Sequence, residues 1–360
     1  MRCHHLHKRR RLIDFGEYLD YAASSGGLDI ISELTDGTDI AKRAAYHSKN
    51  GLNALLYTRH RSSEIPLLLN LYGTMDRLEK AWGMSCDAIA EKAYKSIDLK
   101  PELEFTEPDK YAKLSGLSCL PLYKFYENDT SGTLSMACII SESDNIYDCG
   151  IYRIEPIPEN EAVVHCRESS ELFRLAESSD SVPVTVAVGC SPYLLYTAAC
   201  SLPDDVDELR LASCLGSVRW METEHHPVPS DTHIIIQGRL NGRKALGGQF
   251  YNYKKSYCER KMFPVMEIES VRIKPDGVFQ STVIGDPPME NAWLGIAAAR
   301  LHFYRMKDRY PEIMDISHPA EGVFGLKCVV KCREITPELR DVFKNDCFYS
   351  GFSEIEFQSL

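Results

Sequence analysis

Asp144-Asn145-Ile146-Tyr147-Asp148-Cys149-Gly150-Ile151-Tyr152-Arg153 is the stretch around which the chain is organised. It sets an acid, a glycine and an arginine close together, and the arginine ends an alternating apolar run. Asp148 and Arg153 are five positions apart, so on a strand of period two their side chains fall on opposite faces. Only a bulge or turn at Gly150 re-aims them toward one pocket. There an acid able to hold a metal would meet an arginine able to grip an anion. The plainer reading of the same residues is an Asp turn followed by Arg at a strand edge.

Outward from this stretch the pattern is mostly β. Leu134 to Ser141, Gly150 to Pro156 and Val163 to His165 alternate as strands do, and a short helix is expected over Glu168 to Ala176. Pro183 to Gly189 is nearly continuous apolar sequence, of the kind buried on both faces. Tyr193 to Cys200 reads as a small-residue helix ended by Pro203. Further strands are expected at Val218 to Glu222, His233 to Gln237, Pro264 to Glu269 and Phe279 to Ile284. Upstream the pattern is α/β. Helices are expected over Asp14 to Ala23, Thr38 to about His47, Asp76 to Trp82 and Asp87 to Ser96. Strands are expected at Leu28 to Ile31, Leu52 to Thr58 and Ile65 to Leu71. Lys100 to Lys113 carries Pro101 and Pro108 and reads as a boundary loop. Downstream, Glu290 to Lys307 is the strongest helical pattern, and Cys328 to Cys332 a late strand. The expected class is therefore mixed α/β (α+β). A basic arm (1–13) precedes an α/β unit (14–115), then a mostly-β unit able to close as a barrel (116–290), then a helix and short tail (291–360).

Composition narrows the function. The 360 residues are 44% hydrophobic with a formal charge of -11. Such a chain lacks the basic stripe that nucleic acid needs. The one dense basic run, Lys8-Arg9-Arg10-Arg11, follows His4, His5 and His7 and reads as a solvated arm. No apolar run nears the roughly 20 residues that cross a bilayer, and no apolar segment of a secretory signal follows the basic start. The thirteen cysteines are scattered without a CxxC pair, which fits free thiols in a reducing cytosol, so a cytoplasmic location is expected. Cys328 and Cys332 fall on a strand-like segment and do not read as a metal pair.

Two more residues can join the opening stretch. His165 lies between Val164 and Cys166 on an expected strand, where a lone histidine is ordinarily structural. Glu222, in Trp220-Met221-Glu222-Thr223-Glu224-His225-His226, is by itself a surface carboxylate. Together Asp148, His165 and Glu222 form an oxygen–nitrogen–oxygen set suited to Mn²⁺ or Mg²⁺, with water or phosphate completing the shell. His225 and His226 compete as ligands, but adjacent strand residues point apart. Gly285-Asp286-Pro287-Pro288-Met289-Glu290 is a rigid turn into a helix at Asn291. There is no Ser-His-Asp order, Walker loop or GxGxxG.

These residues resemble the UbiD family of prenylated-FMN decarboxylases from about Phe15 to about Cys332. Ile65 to Gly73 resembles its N-terminal strand and glycine turn, and Asp148-Cys-Gly-Ile-Tyr-Arg153 resembles its Asn-x-Gly-x-x-Arg signature. Val182 to Gly189, Leu202-Pro203, Val228-Pro229 and Gly285 to Glu290 follow in the family's order. The resemblance implies a central split β-barrel of flavin-reductase-like type. It implies prenylated FMN, a divalent metal (Mn or Mg) and K⁺ as cofactors, and a small-molecule carboxylic acid as substrate. It also implies a homo-oligomer or a UbiD-like partner chain, with no nucleic acid and no membrane. In these terms Asp148, Gly150, Ile151, Arg153 and His165 meet the cofactor. Asp148, His165 and Glu222 hold the metal, and Arg153 lies beside the substrate carboxylate.

Three departures qualify the resemblance. Asp148 replaces the signature asparagine. The loop that carries the family's two acids corresponds to Ala245 to Tyr253, which holds no carboxylate. A tuned proton donor is worth about 10²–10⁴ in rate, so a substitute is needed. Tyr251 and Glu259 are the candidates, although a tyrosine of ordinary pKa near 10 is a poor shuttle at neutral pH. The chain also stops soon after Glu354, where the family continues into an oligomerisation segment. Two functions follow: a carboxy-lyase for an α,β-unsaturated or aromatic acid, or a non-catalytic homologue that binds cofactor or a partner.

Overall fold

Side-chain caps and apolar spacing define the first third of the chain. The computed structural model describes residues 14–61 and 63–359, so the arm expected over 1–13 lies outside the described residues. Helix α1 (Phe15–Ser24) begins where Asp14 accepts the Glu17 N–H. β1 (Leu28–Ile31), α2 (Gly37–Lys49), β2 (Ala54–Tyr57) and β3 (Leu67–Leu69) follow. Then come α3 (Met75–Trp82), capped by Thr74 and ended by left-handed Gly83, and α4 (Cys86–Ser96), capped by Ser85. The predicted boundary loop is extended chain that ends in β4 (Ala112–Leu114).

The central segment is all antiparallel sheet with helices laid outside it. β5 (Leu134–Ser143), β6 (Ile146–Ile157) and β7 (Glu161–His165) lead to α5 (Glu171–Ser178) and β8 (Val182–Val188). Helices α6 (Pro192–Ala199) and α7 (Glu208–Leu215) precede the short β9 (Trp220–Met221) and β10 (Val228–Pro229). Two long strands, β11 (Ile234–Leu246) and β12 (Met262–Ile273), finish the barrel, which runs β11-β8-β5-β6-β7-β12 and closes by β11–β12 pairing. Closure removes the sheet's open edges. Ile154, Val164, Val186, Ile236 and Met266 fill the interior, none above 1% exposed. At roughly 25 cal/mol per Å² of apolar surface, this interior dominates the barrel's stability. As the sequence suggests, β8 is nearly all apolar: Val184, Val186 and Val188 pack in the barrel interior, while on the other face Ala187 joins the second core and buried Thr185 bonds to Gln237 and the His226 N–H.

β13 (Phe279–Gln280) returns to pair with β3, so the N-terminal sheet reads β1-β2-β3-β13. α8 (Glu290–Arg309) then starts without a side-chain cap of its own. Its buried Glu290 instead accepts the N–H groups of Asn70 and Tyr72 at 3.1 and 2.8 Å, fastening the turn after β3 to this helix. A last sheet has β15 (Lys327–Cys332) between β14 (Ile313–Ser317) and β16 (Glu354–Ser359), with α9 (Pro337–Asn345) crossing from β15 to the parallel β16. No helix among the described residues is long and apolar enough to cross a membrane. The twelve described cysteines are all free thiols.

Candidate active site

Strand β6 has two unlike halves. Arg153 to Ile157 pair with β7, whereas Ile146 to Tyr152 pair only with β5. The unpaired edge is stopped at one point by Asp207, the N-cap of α7, which accepts the Tyr147 N–H at 3.3 Å. Along that edge lies a cavity of about 480 Å³, lined by every residue from Asp148 to Arg153. Neighbours on a strand point to opposite faces. Six in a row can border one cavity only along an edge.

This arrangement changes the expected route by which Asp148 and Arg153 come together. No bulge occurs at Gly150, where the register with β5 runs unbroken from Ala137↔Tyr152 to Ser143↔Ile146. The irregularity is on β5, which carries one extra residue between Leu134 and Ala137. The two side chains keep opposite faces and share the cavity through the open edge. Gly150 serves a different purpose: the Tyr152 ring lies across it, and a Cβ there would sit 2.5–2.7 Å from ring atoms.

One end of the cavity is acidic. Asp148 bonds to Ser141, and Glu171, Asp204 and Glu208 line the wall beside it. Burial pushes the Asp148 carboxyl up to about 6, and burial with the Asp148 and Asp204 charges pushes Glu171 up to about 7. Burial, then Asp148, raises Glu208 well above the carboxylate range, and its buried Oε2 has no hydrogen-bond partner. Like charges gathered out of water hold their protons. Glu171 and Glu208 are each in the first turn of a helix, capped by Ser170 and Asp207.

The other end is built on Arg153. Its guanidinium lies 4.5 Å over the Phe250 ring, and its buried Nε has no partner. Burial lowers its proton affinity, while Cys258, Asp129 and Glu155 act in the opposite sense. Asp129 accepts the N–H groups of Phe125, Tyr126 and Tyr251, which fixes the 245–253 loop beside the arginine. Glu155 accepts from Gly248 N–H at 2.8 Å and Ser131 Oγ at 3.1 Å, and sits 2.9 Å from His165 Nε2. Burial raises the Glu155 carboxyl, but these bonds outweigh it and bring the group below its usual range.

The expected metal set does not assemble. His165 lines the cavity, but at the Arg153 end, packed against Phe250 and Phe263 with Nε2 on Glu155. Glu222 is exposed just past β9 and does not border the cavity. Among the described residues no group of three or more His, Cys, Asp or Glu side chains is set to hold a metal. The carboxylates actually beside Asp148 are Glu171 and Glu208. Helix α7 was not anticipated, and with it Glu208 was overlooked. The signal was present in Asp207 followed by Leu209, Leu211, Ala212 and Leu215 at helical spacing. His225 and His226 do diverge, to Glu269 and to the Pro183 carbonyl.

Of the two substitutes for the missing loop acids, Glu259 is exposed and away from the cavity. Tyr251 lies on the far side of Arg153 and donates to Asp286 at 2.8 Å; that bond raises its pKa further. Gly150, Ile151 and Arg153, expected at the cofactor, all line the cavity.

A closed six-stranded antiparallel barrel with a cavity along its half-paired strand, bordered by Arg153 and by the carboxylates of Asp148, Glu171 and Glu208, defines a split-barrel protein. Residues 103–287 match the family described as UbiD, 3-octaprenyl-4-hydroxybenzoate carboxy-lyase Rift-related domain, and the chain belongs to that family. An uncharacterized protein of Archaeoglobus fulgidus is 25% identical over 341 residues, covering 85% of this chain and 70% of that one. Among solved structures, an evolved dimeric form of the UbiD-class enzyme HmfF from Pelotomaculum thermopropionicum, in complex with prFMN, superposes with a TM-score of 0.84 at 18% identity. That match covers 96% of this chain and 85% of the other. The vanillic acid decarboxylase of Sedimentibacter hydroxybenzoicus gives 0.83 at 14% identity, covering 96% and 80%. At these identities the structural likeness shows a shared fold.

Proposed function

We propose that the chain is a carboxy-lyase that removes carbon dioxide from an α,β-unsaturated or aromatic acid, using prenylated FMN and a divalent cation. The observation that carries this reading is the buried, unpartnered Nε of Arg153 on a cavity that also gathers Asp148, Glu171 and Glu208, the last with a buried oxygen that has no partner. The residues present fit such a cofactor. A cavity near 480 Å³ suits a ligand of this size. The orphaned Oε2 of Glu208 and the raised Asp148 and Glu171 carboxyls fit a cation, which would relieve their repulsion. With no three ligands converging, phosphate and water oxygens would complete its shell. When bound, the flavin would supply an electron-poor ring system beside the carbon that loses the carboxyl group, which lowers the cost of the electron pair left there.

The chain's own residues then have definite tasks. Arg153 holds the substrate carboxylate by charge-assisted hydrogen bonds and is kept in place by Phe250. Asp148, with the charges of Glu171 and Glu208 beside it, draws the cation to the opposite end, where phosphate and water oxygens supply the rest of its shell. Support comes from the family match and from the prFMN named in the HmfF complex. Protein co-expressed with a flavin prenyltransferase is expected to carry bound flavin absorbance, and a colourless product under those conditions would sink the reading. Association with a second copy or with a UbiD-like chain is part of the same proposal, measured by light scattering.

One observation favours a second reading. The 245–253 loop carries no carboxylate, as expected of a homologue that binds cofactor or a partner without turnover. Turnover of any tested acid that disappears in Arg153→Ala excludes it.

A further inference from the structure

Replacing a carboxyl group by hydrogen requires a proton at the substrate carbon, so the Arg153 end must hold a donor if the chain is a carboxy-lyase. Few groups there qualify. Tyr251 is tied to Asp286 with its proton held more tightly, and Glu259 is exposed elsewhere. Asp148, Glu171 and Glu208 occupy the opposite end. His165 remains.

Four observations place His165 at the task. It is the register partner of Arg153 across β6 and β7, so both side chains leave the sheet on one face. Both rings and guanidinium converge on Phe250, with Arg153 4.5 Å and His165 5.3 Å from its centroid. Glu155, two residues beyond Arg153 and therefore on the same face, holds Nε2. Among the described residues Nδ1 has no hydrogen-bond partner. The imidazole is therefore oriented by a buried carboxylate and free at its other nitrogen, the arrangement that general acid–base histidines need.

Gly247 makes the substitution legible. A Cβ at 247 would lie 2.8 and 3.0 Å from His165 Cε1 and Nε2, and 2.7 Å from Phe263. The space a side chain on the loop would take is filled by the His165 ring. A loop carboxylate at 247 and an imidazole at 165 exclude one another.

We propose that His165, oriented by Glu155, carries the proton of the reaction, a role that rests on the carboxy-lyase reading above. The carbon–carbon bond to the carboxyl group breaks, carbon dioxide leaves, and the electron pair remains with the substrate carbon. The imidazolium of His165 gives its proton to that carbon, forming the new carbon–hydrogen bond. The neutral imidazole then regains a proton from water. Glu155 is a positioning residue: it holds Nε2–H, which leaves Nδ1 as the nitrogen free to carry the transferred proton. Glu155 bonds the ring, and Arg153 is its register partner across β6 and β7.

The test uses the full chain in two arms. In cofactor-free protein labelled with ¹⁵N-histidine, long-range NMR correlations at neutral pH should show His165 as the Nε2–H tautomer, and Glu155→Gln should abolish that preference. An Nδ1–H tautomer in the wild type overturns the proposal. In protein loaded with prenylated FMN, His165→Asn should keep the flavin absorbance and reduce turnover of a panel of cinnamic, furoic and hydroxybenzoic acids about 10²–10⁴-fold. Glu155→Gln should keep the flavin absorbance and reduce turnover less than His165→Asn does, because it frees the ring without removing the donor. Wild-type turnover in His165→Asn overturns the proposal. Flavin-loaded wild type that turns over none of the acids defeats the carboxy-lyase reading instead, and the NMR arm still decides whether the dyad exists.

Discussion

The two ends of the cavity are made from different materials. The acidic end hangs on helix starts, with Glu171 and Glu208 in first turns capped by Ser170 and Asp207. The Arg153 end is barrel wall plus one loop, held together by Glu155, Asp129 and the Phe250 ring. At the first end the carboxylates repel one another and Glu208 keeps a buried oxygen without a partner; at the second most groups are paired. A site whose polar atoms are unsatisfied is waiting for a ligand, whereas a satisfied one is already organised for chemistry.

The sharpest way to break this contrast is Arg153→Ala. On the proposed reading it removes the guanidinium that holds the substrate carboxylate, and turnover should fall by about 10³-fold or more, measured on protein whose flavin absorbance is retained. Turnover within tenfold of wild type would mean the paired end is not the reacting end. Next in size, Gly247→Glu should destabilise the fold by about 1–3 kcal/mol in urea melts through overpacking against His165 and Phe263. Combining it with His165→Ala should recover much of that loss, since the two side chains compete for one space.

A smaller effect is expected at the acidic end. Asp148 and Glu171 keep their protons to about 6 and about 7 in the folded chain, above their unfolded values. Folding therefore takes up protons between about pH 4 and 7, and the stability of cation-free protein should fall as pH rises through that window. Asp148→Asn should flatten the fall, and Mn²⁺ should raise the thermal midpoint by a few degrees at pH 7.5 but not at pH 4.5. Equal Mn²⁺ effects at both pH values would deny the carboxylates a role in binding. The smallest changes are those expected of Tyr251→Phe and Glu259→Gln, within about threefold in rate, given that neither group is placed to reach the reacting carbon.

Much of this molecule is readable from period and punctuation. The apolar run at β8, the alternation of β5 to β7 and the caps of α3 and α4 carry local signals strong enough to survive tertiary context. The site was half legible. Asp148, Gly150, Ile151, Arg153 and His165 do border the cavity, but the reason, an unpaired half-strand, depends on where β7 ends and cannot be read from β6 itself. Glu222 was preferred because it follows an apolar run, yet that run is an edge hairpin of two-residue strands. Glu208 sits in a capped helix of just over two turns, short enough to be passed over by periodicity. Glu155 and Asp129 became visible only through the bonds they make across more than ninety residues, to Gly248 and Tyr251.

The half-paired β6 also bears on how the protein behaves in a cell. A strand with an open side is a template for another strand, and natural folds usually cover or charge such a side. Here the open side borders a cavity. A ligand lying along Asp148 to Tyr152 would shield this backbone from foreign strands. On the proposed reading, soluble yield should therefore follow cofactor supply during synthesis, and starvation for it should appear first as self-association.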